Sequence, residues 1–177
     1  MSKLRLGELL VQQGLISTEQ VDAALNYQKR WGNKIGEALV SLKFITEKQL
    51  CEALSRALRV PVLDISRLDP SSITLEVLDY IPIHTARSQR IVPLAVREIR
   101  FKRRLVVATS DPTNYKTFDD IQFKISLPVT VMIAPDSDVE WFIRKYYMGD
   151  ADTLPNQYVE NVKEGQTGDS FIESISN

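Results

Sequence analysis

Two copies of one short pattern, 29 positions apart and with no gap, open this chain. The first runs Arg5-Leu6-Gly7-Glu8-Leu9-Leu10-Val11, then Gly14-Leu15-Ile16-Ser17, then Gln20, Ala24, Leu25 and Gln28. The second runs Lys34-Ile35-Gly36-Glu37-Ala38-Leu39-Val40, then Lys43-Phe44-Ile45-Thr46, then Gln49, Ala53, Leu54 and Ala57. A repeat of this length is one supersecondary unit, and two units in tandem make a pseudo-symmetric surface. Such a surface suits a ligand or partner with two similar halves.

Each copy predicts a short helix, a turn and a longer helix. Gly14 stands where a helix C-cap wants a left-handed residue. Ser17 with Gln20, and Thr46 with Gln49, have capping-box spacing. Val21, Ala24 and Leu25, then Leu50, Ala53, Leu54, Ala57 and Leu58, keep helical spacing, so each long helix has one buried face. Lys43 replaces the glycine that Gly14 provides. That cap is expected either to take a strained left-handed form or to change geometry.

Pro61 ends the second unit, and residues 60–65 read as extended chain. Pro70-Ser71-Ser72 predicts a short helix from Ile73 to Tyr80, and Pro82 another, as its first residue, to about Gln89. The pattern then changes. Residues 91–96 and 105–109 are strand-like, joined by a charged turn from Arg97 to Arg104. A helix carrying Phe118, Ile121 and Ile125 follows, then a strand at 129–133 and a last helix after Asp136. The expected fold is α+β: a helical tandem-repeat subdomain over 1–90, a small β-β-α-β-α subdomain over 91–148, and an acidic, mobile tail over 149–177.

Bulk properties narrow the function classes. The chain has 177 residues, 44% of them hydrophobic, which suffices for a real core. A formal net charge of −1 gives no whole-chain argument for nucleic acid or for an anionic membrane. The single cysteine, Cys51, fits a reducing cytoplasm. No apolar run approaches the ~18 residues of a membrane span. A soluble cytoplasmic protein is expected, one that would reach a membrane only through a partner.

The residues Arg5-Leu-Gly, at a predicted helix start, offer free backbone amides, a close approach at glycine and a guanidinium. Guanidinium can stack on a purine or pair bidentately with guanine. Equally, Gly7 and Gly36 could simply let helices cross closely while Arg5 and Lys34 are solvated. The pattern Arg-Leu-Gly-x-x-Leu-Val-x-x-Gly-Leu-Ile, with Val21, Ala24, Leu25 and Gln28 following, resembles the half-motif of the MshE-type N-terminal domain. That domain is found on ATPases of type II secretion and type IV pilus assembly. The family carries two such motifs with a five-residue spacer, and Lys29 to Asn33 is a spacer of that length. The run from Leu105 to Asn114, with Asp111-Pro112, and the run Trp141 to Tyr147 extend the resemblance over roughly residues 4–148.

The resemblance implies a cyclic di-GMP site, one motif per half of the dinucleotide. Arg5 and Lys34 would face guanine. The backbone at Leu6-Gly7 and Ile35-Gly36 would meet phosphate and sugar, and Gln28 would add a polar contact. Leu10, Leu25, Leu39 and Leu54 would form an apolar floor. The second motif departs at Lys34, Lys43 and Ala57. The expected function is non-catalytic cyclic di-GMP sensing for a secretion, pilus or motility machine. The alternative is a docking module that couples an assembly ATPase to its membrane platform without nucleotide. No Gly-x-x-x-x-Gly-Lys-Ser/Thr loop occurs, and one His and one Cys cannot make a metal cluster. His84 reads as an ordinary side chain of a surface helix. The basic residues around 97–104 read either as a solvated turn that blunts a sheet edge or as a docking or phosphate-contacting patch.

Overall fold

The structure, a computed structural model, describes residues 5–149; beyond Gly149, the expected acidic tail lies outside the described residues. The tandem repeat folds as two helix pairs, α1 (Leu6–Gln12) with α2 (Thr18–Trp31) and α3 (Ile35–Ser41) with α4 (Glu47–Leu58). Both capping boxes form. Ser17 Oγ accepts from the Gln20 amide at 3.3 Å, and Gln20 Oε1 accepts from the Ser17 amide at 2.9 Å. Thr46 and Gln49 do the same at 3.1 and 2.9 Å. Each box satisfies two donors that the helix start would otherwise leave unpaired.

The turns inside the two copies also match. Gly14 sits at φ +71°, and the Leu15 amide reaches the Leu10 carbonyl at 3.0 Å. Lys43 takes the same left-handed form at φ +58°, with the Phe44 amide 3.0 Å from the Leu39 carbonyl. The second copy keeps the cap and bears the strain of a Cβ in it. Leu10, Ile16, Ala24, Ala38, Leu39, Ile45 and Ala53 close a first core.

After α4 the chain is extended to Asp64, as Pro61 predicts, and a 3₁₀ turn at Ile65–Arg67 ends it. The Leu63 amide donates to the Ile133 carbonyl at 2.7 Å, and the Ile133 amide to the Pro61 carbonyl at 2.8 Å. The next helix starts later than Pro70 suggests. Asp69 caps a single 3₁₀ turn at Pro70–Ser72, and Thr74 then caps α5 (Leu75–Asp79). Pro82 is the N-cap of α6 (Ile83–Gln89), not its first helical residue.

The strands are longer than their apolar runs. β1 (Ile91–Ile99) and β2 (Lys102–Thr109) pair antiparallel out to Ile99 and Lys102, so most of the charged turn belongs to the ladder. The turn itself is only Arg100 and Phe101, at φ +52° and +60°. Left-handed backbone at both central residues is the hairpin geometry that matches strand twist. α7 (Tyr115–Ile125) then crosses to β3 (Val129–Ile133), which pairs parallel to β2 in the order β1-β2-β3. α8 (Asp136–Phe142) and a π-helical turn at Ile143–Tyr147 follow. The fold is α+β. The sheet's core takes Ile91, Leu105, Val107, Phe118 and Phe142, and also Ile65, Leu78, Ile81 and Ala86 from upstream of β1.

A small third cluster joins the two cores. Cys51 and Leu54 of α4 pack on Ile133 at the end of β3. Beside it, the Ser137 amide and hydroxyl at the start of α8 donate to the Glu47 carboxylate at the start of α4.

Lys43→Gly should stabilise the protein. Relief of a left-handed Cβ outweighs the added freedom of glycine in the unfolded chain by about 0.5–1 kcal/mol. Denaturant unfolding checks this; an unchanged or lower midpoint would show that Lys43 bears no strain.

Candidate functional site

α1 and α3 start side by side on one wall of an open cleft of about 930 Å³. Their starting residues line it in matched pairs: Arg5 with Lys34, Leu6 with Ile35, and Gly7 with Gly36. First-turn amides lie outside the intrahelical ladder, so this wall presents backbone donors. Val21, Leu25 and Gln28 of α2, and Leu50, Cys51 and Leu54 of α4, add a mostly apolar wall. Leu25 keeps 38% of its surface exposed, a flat apolar contact left open to the cleft. Leu54, its mate in the second copy, is only 4% exposed because Ile133 packs on it.

The opposite wall comes from the sheet. Ser110, Asp111 and Thr113 follow β2, Ala134, Pro135 and Asp136 follow β3, and Arg90 precedes β1. Nine of the eleven residues proposed from sequence line this cleft: Arg5, Leu6, Gly7, Leu25, Gln28, Lys34, Ile35, Gly36 and Leu54. Leu10 and Leu39 do not. Both are 0% exposed and sit in the repeat's core beneath the wall. Their helix faces point away from the cleft, so they support the site without lining it. Ala57, the mate of Gln28, is exposed and lies off the cleft.

Glu47, Arg90, Ser110 and Asp136 carry no local pattern that marks them. Only the topology could have found the sheet's share. Loops outside the carboxyl ends of neighbouring parallel strands are where open sheets place ligands, and β2 and β3 are such neighbours. The Asp111-Pro112 loop, part of the run that extends the family resemblance, reads from sequence as a turn that could approach a nucleotide, and Asp111 lies in this wall.

Among the described residues, each of the three cations that line the cleft is ion-paired. Arg5 meets Glu8 at 3.1 Å, in a pair whose side chains are 78% and 72% exposed. Lys34 Nζ reaches Asp111 Oδ2 at 2.6 Å across the cleft, between residues 77 positions apart. Arg90 forks to Asp136 at 2.8 Å and Glu140 at 2.5 Å, and Ser110 Oγ donates to Asp136 at 2.8 Å. Burial works to raise the Asp111 pKa, but hydrogen bonds from Lys34 and Thr113 outweigh it and hold the carboxyl below its ordinary range. Asp111 is therefore an anion, and Lys34 is partly neutralised by it. Burial, with Glu47 and Asp138 nearby, pushes the Cys51 thiol up to about 12, so it holds no reactive thiolate. Among the described residues no cluster of His, Cys, Asp or Glu is placed to hold a metal ion.

The glycines serve close helix packing at the edge of the cleft. Gly7 and Gly36 line the cleft, and both are buried against the following helix. A Cβ on Gly7 would stand 2.9 Å from Val21 Cγ1, and one on Gly36 would stand 3.1 Å from Leu50 Cδ2.

The MshEN domain family model matches residues 58–153. A solved structure of MshE with cdg superposes at TM-score 0.65 with 30% identity, over 82% of this chain and 100% of that one. The chain belongs to the MshEN domain family. The N-terminal domain of XpsE shares the fold at TM-score 0.66 and 19% identity, over 82% of this chain and 99% of its own. Among curated relatives, the type IV pilus assembly ATPase PilB of Myxococcus xanthus is 32% identical over 81% of this chain and 24% of its own length. PilB of Pseudomonas aeruginosa is 26% identical over 84% of this chain and 25% of its own. The chain thus spans about a quarter of these relatives. The family model begins after both tandem motifs, whereas the MshE structure is matched over its full length. Among the described residues no helix of this MshEN domain is long and apolar enough to cross a membrane.

Two expected outcomes follow from the packing around the cleft. Gly7→Val should lower stability by about 1–3 kcal/mol, since the new side chain meets Val21. A thermal melt unchanged from wild type would show that α1 and α2 can part without cost. The second outcome concerns Asp138, which is 8% exposed beside the α4–α8 junction. Burial, then Glu47 and Asp64, raise its carboxyl from 3.8 to about 6. Above pH 6 the folded state bears the full cost of a buried anion. Between 6 and about 4 it takes up a proton that the unfolded chain does not yet bind, so this group adds stability as pH falls. Asp138→Asn should therefore be more stable than wild type at pH 7, by about 1–3 kcal/mol, and the gap should close near pH 4. A gap independent of pH, measured by urea unfolding, would contradict the shift.

Proposed function

We propose that this MshEN domain binds cyclic di-GMP in the cleft and reports its occupancy to a type IV pilus or type II secretion ATPase, without catalysis of its own. The observation that carries this reading is the matched pair of helix starts on one wall. Two Arg/Lys-apolar-Gly triplets, each with first-turn amides, stand side by side before apolar side chains. A two-fold dinucleotide needs that combination: donors for two phosphates and flat apolar contact for two bases. The MshE structure with cdg, taken as cyclic di-GMP, supports the choice of ligand. The sheet wall adds carboxylates at Asp111 and Asp136 that can accept from guanine's exocyclic amine.

The halves are unequal. The Arg5 guanidinium is 78% exposed and free to leave Glu8 for a guanine face or edge. Lys34 must leave Asp111, and its ammonium cannot fork. The paired state of all three cleft cations favours a second reading, a docking module that couples the ATPase to its membrane platform with no nucleotide bound. In that reading an acidic or polar partner segment, not a dinucleotide, meets the cleft.

Titration calorimetry with cyclic di-GMP, cyclic di-AMP and GMP separates the two. The sensor reading expects saturable binding of cyclic di-GMP in preference to both controls, and a higher melting temperature with saturating ligand. Arg5→Ala should cost about 1–3 kcal/mol of binding, and Lys34→Ala less. Equal affinity for all three ligands, or a melt unmoved by cyclic di-GMP, would leave only the docking module.

A further inference from the structure

The end of the sheet opposite the cleft has a different character. The β1–β2 turn holds Phe101 at its apex, 96% exposed. Around it Arg97, Arg100, Lys102 and Arg103 are all exposed, and Glu98 is the one acid in this stretch of chain. A second phenylalanine lies at the same end. Val129 opens β3 opposite Leu105, and its amide donates to Gln122 in the last turn of α7 at 2.9 Å. That turn carries Phe123, 87% exposed, and exposed Lys124. Asp119 and Asp120 lie a turn further back along α7. At ~3.3 Å per residue, β2 sets this end roughly 25 Å from the cleft loops.

The turn's backbone gives the apex its weight. Arg100 and Phe101 both adopt left-handed φ, +52° and +60°, where Asn-Gly or Gly-containing pairs are the relaxed choice. A bulky aromatic in that conformation is strained, and no contact of its own repays the strain because its ring is in solvent. Such outliers point from strain to use.

We infer that this end of the domain is a peripheral contact site for an anionic lipid bilayer, with Phe101 entering the headgroup layer and the surrounding arginines and lysines meeting lipid phosphates. The shape selects this partner. Arg97 and Arg103 share a hollow of about 250 Å³ with Glu76 and Tyr80, but Phe101 is not among its lining residues. The apex itself projects into solvent, with no socket around its ring for a protein side chain and no channel to track a nucleic acid backbone. A fluid interface can envelop it. An apolar ring flanked by long cationic stems is matched to the boundary between acyl chains and headgroups, and the local excess of cations is complementary to anionic lipid. The formal net charge of the whole chain, −1, hides this local excess. The site stands apart from the cleft and is independent of any nucleotide bound there.

The test is co-sedimentation of the 177-residue chain with vesicles. One set is pure phosphatidylcholine; in the other a third of the lipid is phosphatidylglycerol. Binding is expected on the anionic set only, weakening as salt is raised. Arg100→Glu with Arg103→Glu should reduce it to the level on neutral vesicles. Phe101→Asn gives the sharper result. It should weaken vesicle binding roughly tenfold, yet raise the melting temperature, because asparagine accepts the left-handed backbone more readily. Equal binding to both vesicle sets, or none to either, would overturn the inference. So would full vesicle binding by the folded Phe101→Asn and double-glutamate variants. Capture of an acidic peptide or of RNA at this tip, with vesicles ignored, would assign it to another partner and equally overturn it.

Discussion

The cleft depends on one small apolar junction. Leu54 and Cys51 of α4 pack on Ile133 where β3 ends, and this contact joins the repeat to the sheet. Burying a leucine is worth about 1.5–3 kcal/mol. That suffices to orient two bodies that already have their own cores. Around it lie two polar links, Glu47 to Ser137 and Lys34 to Asp111. The tandem motifs close their own core through Leu10, Ala24, Leu39 and Ala53, and the junction stands where Arg90, Asp111 and Asp136 come to face them across the cleft.

The junction also breaks the repeat's symmetry. The copies agree in caps, turn and glycine, and their backbones agree even where Lys43 replaces Gly14. Their surroundings differ. α2 leaves Leu25 open to the cleft, while α4 gives the matching Leu54 to the sheet. Among the described residues Arg5 pairs with a neighbour on its own helix, whereas Lys34 is held from across the cleft. The changes in the second motif thus fall on the copy whose environment has already diverged. Lysine suits that place: a compact ammonium can reach a carboxylate without the planar fork that arginine needs.

What the sequence made legible was what local chemistry controls. Capping boxes, the Gly14 turn, the break at Pro61 and the helix pairs of the tandem repeat are contained in short windows, and they formed as their spacing requires, whereas the starts marked by Pro70 and Pro82 shifted. The strand ends were not legible. Arg97, Glu98 and Lys102 to Arg104 read as turn because they are charged. Solvent-exposed rungs of a hairpin tolerate charge, and the true turn carries neither glycine nor asparagine. The same holds for Leu10 and Leu39. Motif position could not say which face of a seven-residue helix met the cleft and which met the core. The sheet's contribution was hidden for a different reason. Arg90, Ser110 and Asp136 become neighbours only through strand order, which no local pattern encodes.

A site shared by two bodies has a consequence for signalling. A ligand shifts a conformational equilibrium only by its difference in affinity for the two states. Contacts confined to α1 and α2 are the same however the sheet is tilted, so a ligand held by them alone would bind without effect on the rest of the domain. Lys34 and Asp111 differ in this respect. They sit on opposite walls and already hold each other, with the Asp111 carboxyl ionised by that contact. An anion that draws Lys34 away removes one of the two polar links across the junction and leaves a partly buried carboxylate that needs a new donor. If the ligand supplies that donor the walls are held through it; if not, the apolar contact and the Glu47–Ser137 link hold them. Either way the balance between repeat and sheet changes, and by reciprocity whatever fixes that angle from outside changes the ligand's affinity by the same factor. In the proposed function, signalling strength would therefore rest less on the well-formed first motif than on the altered second one, where the cation offered to the ligand and the seam share the same two side chains.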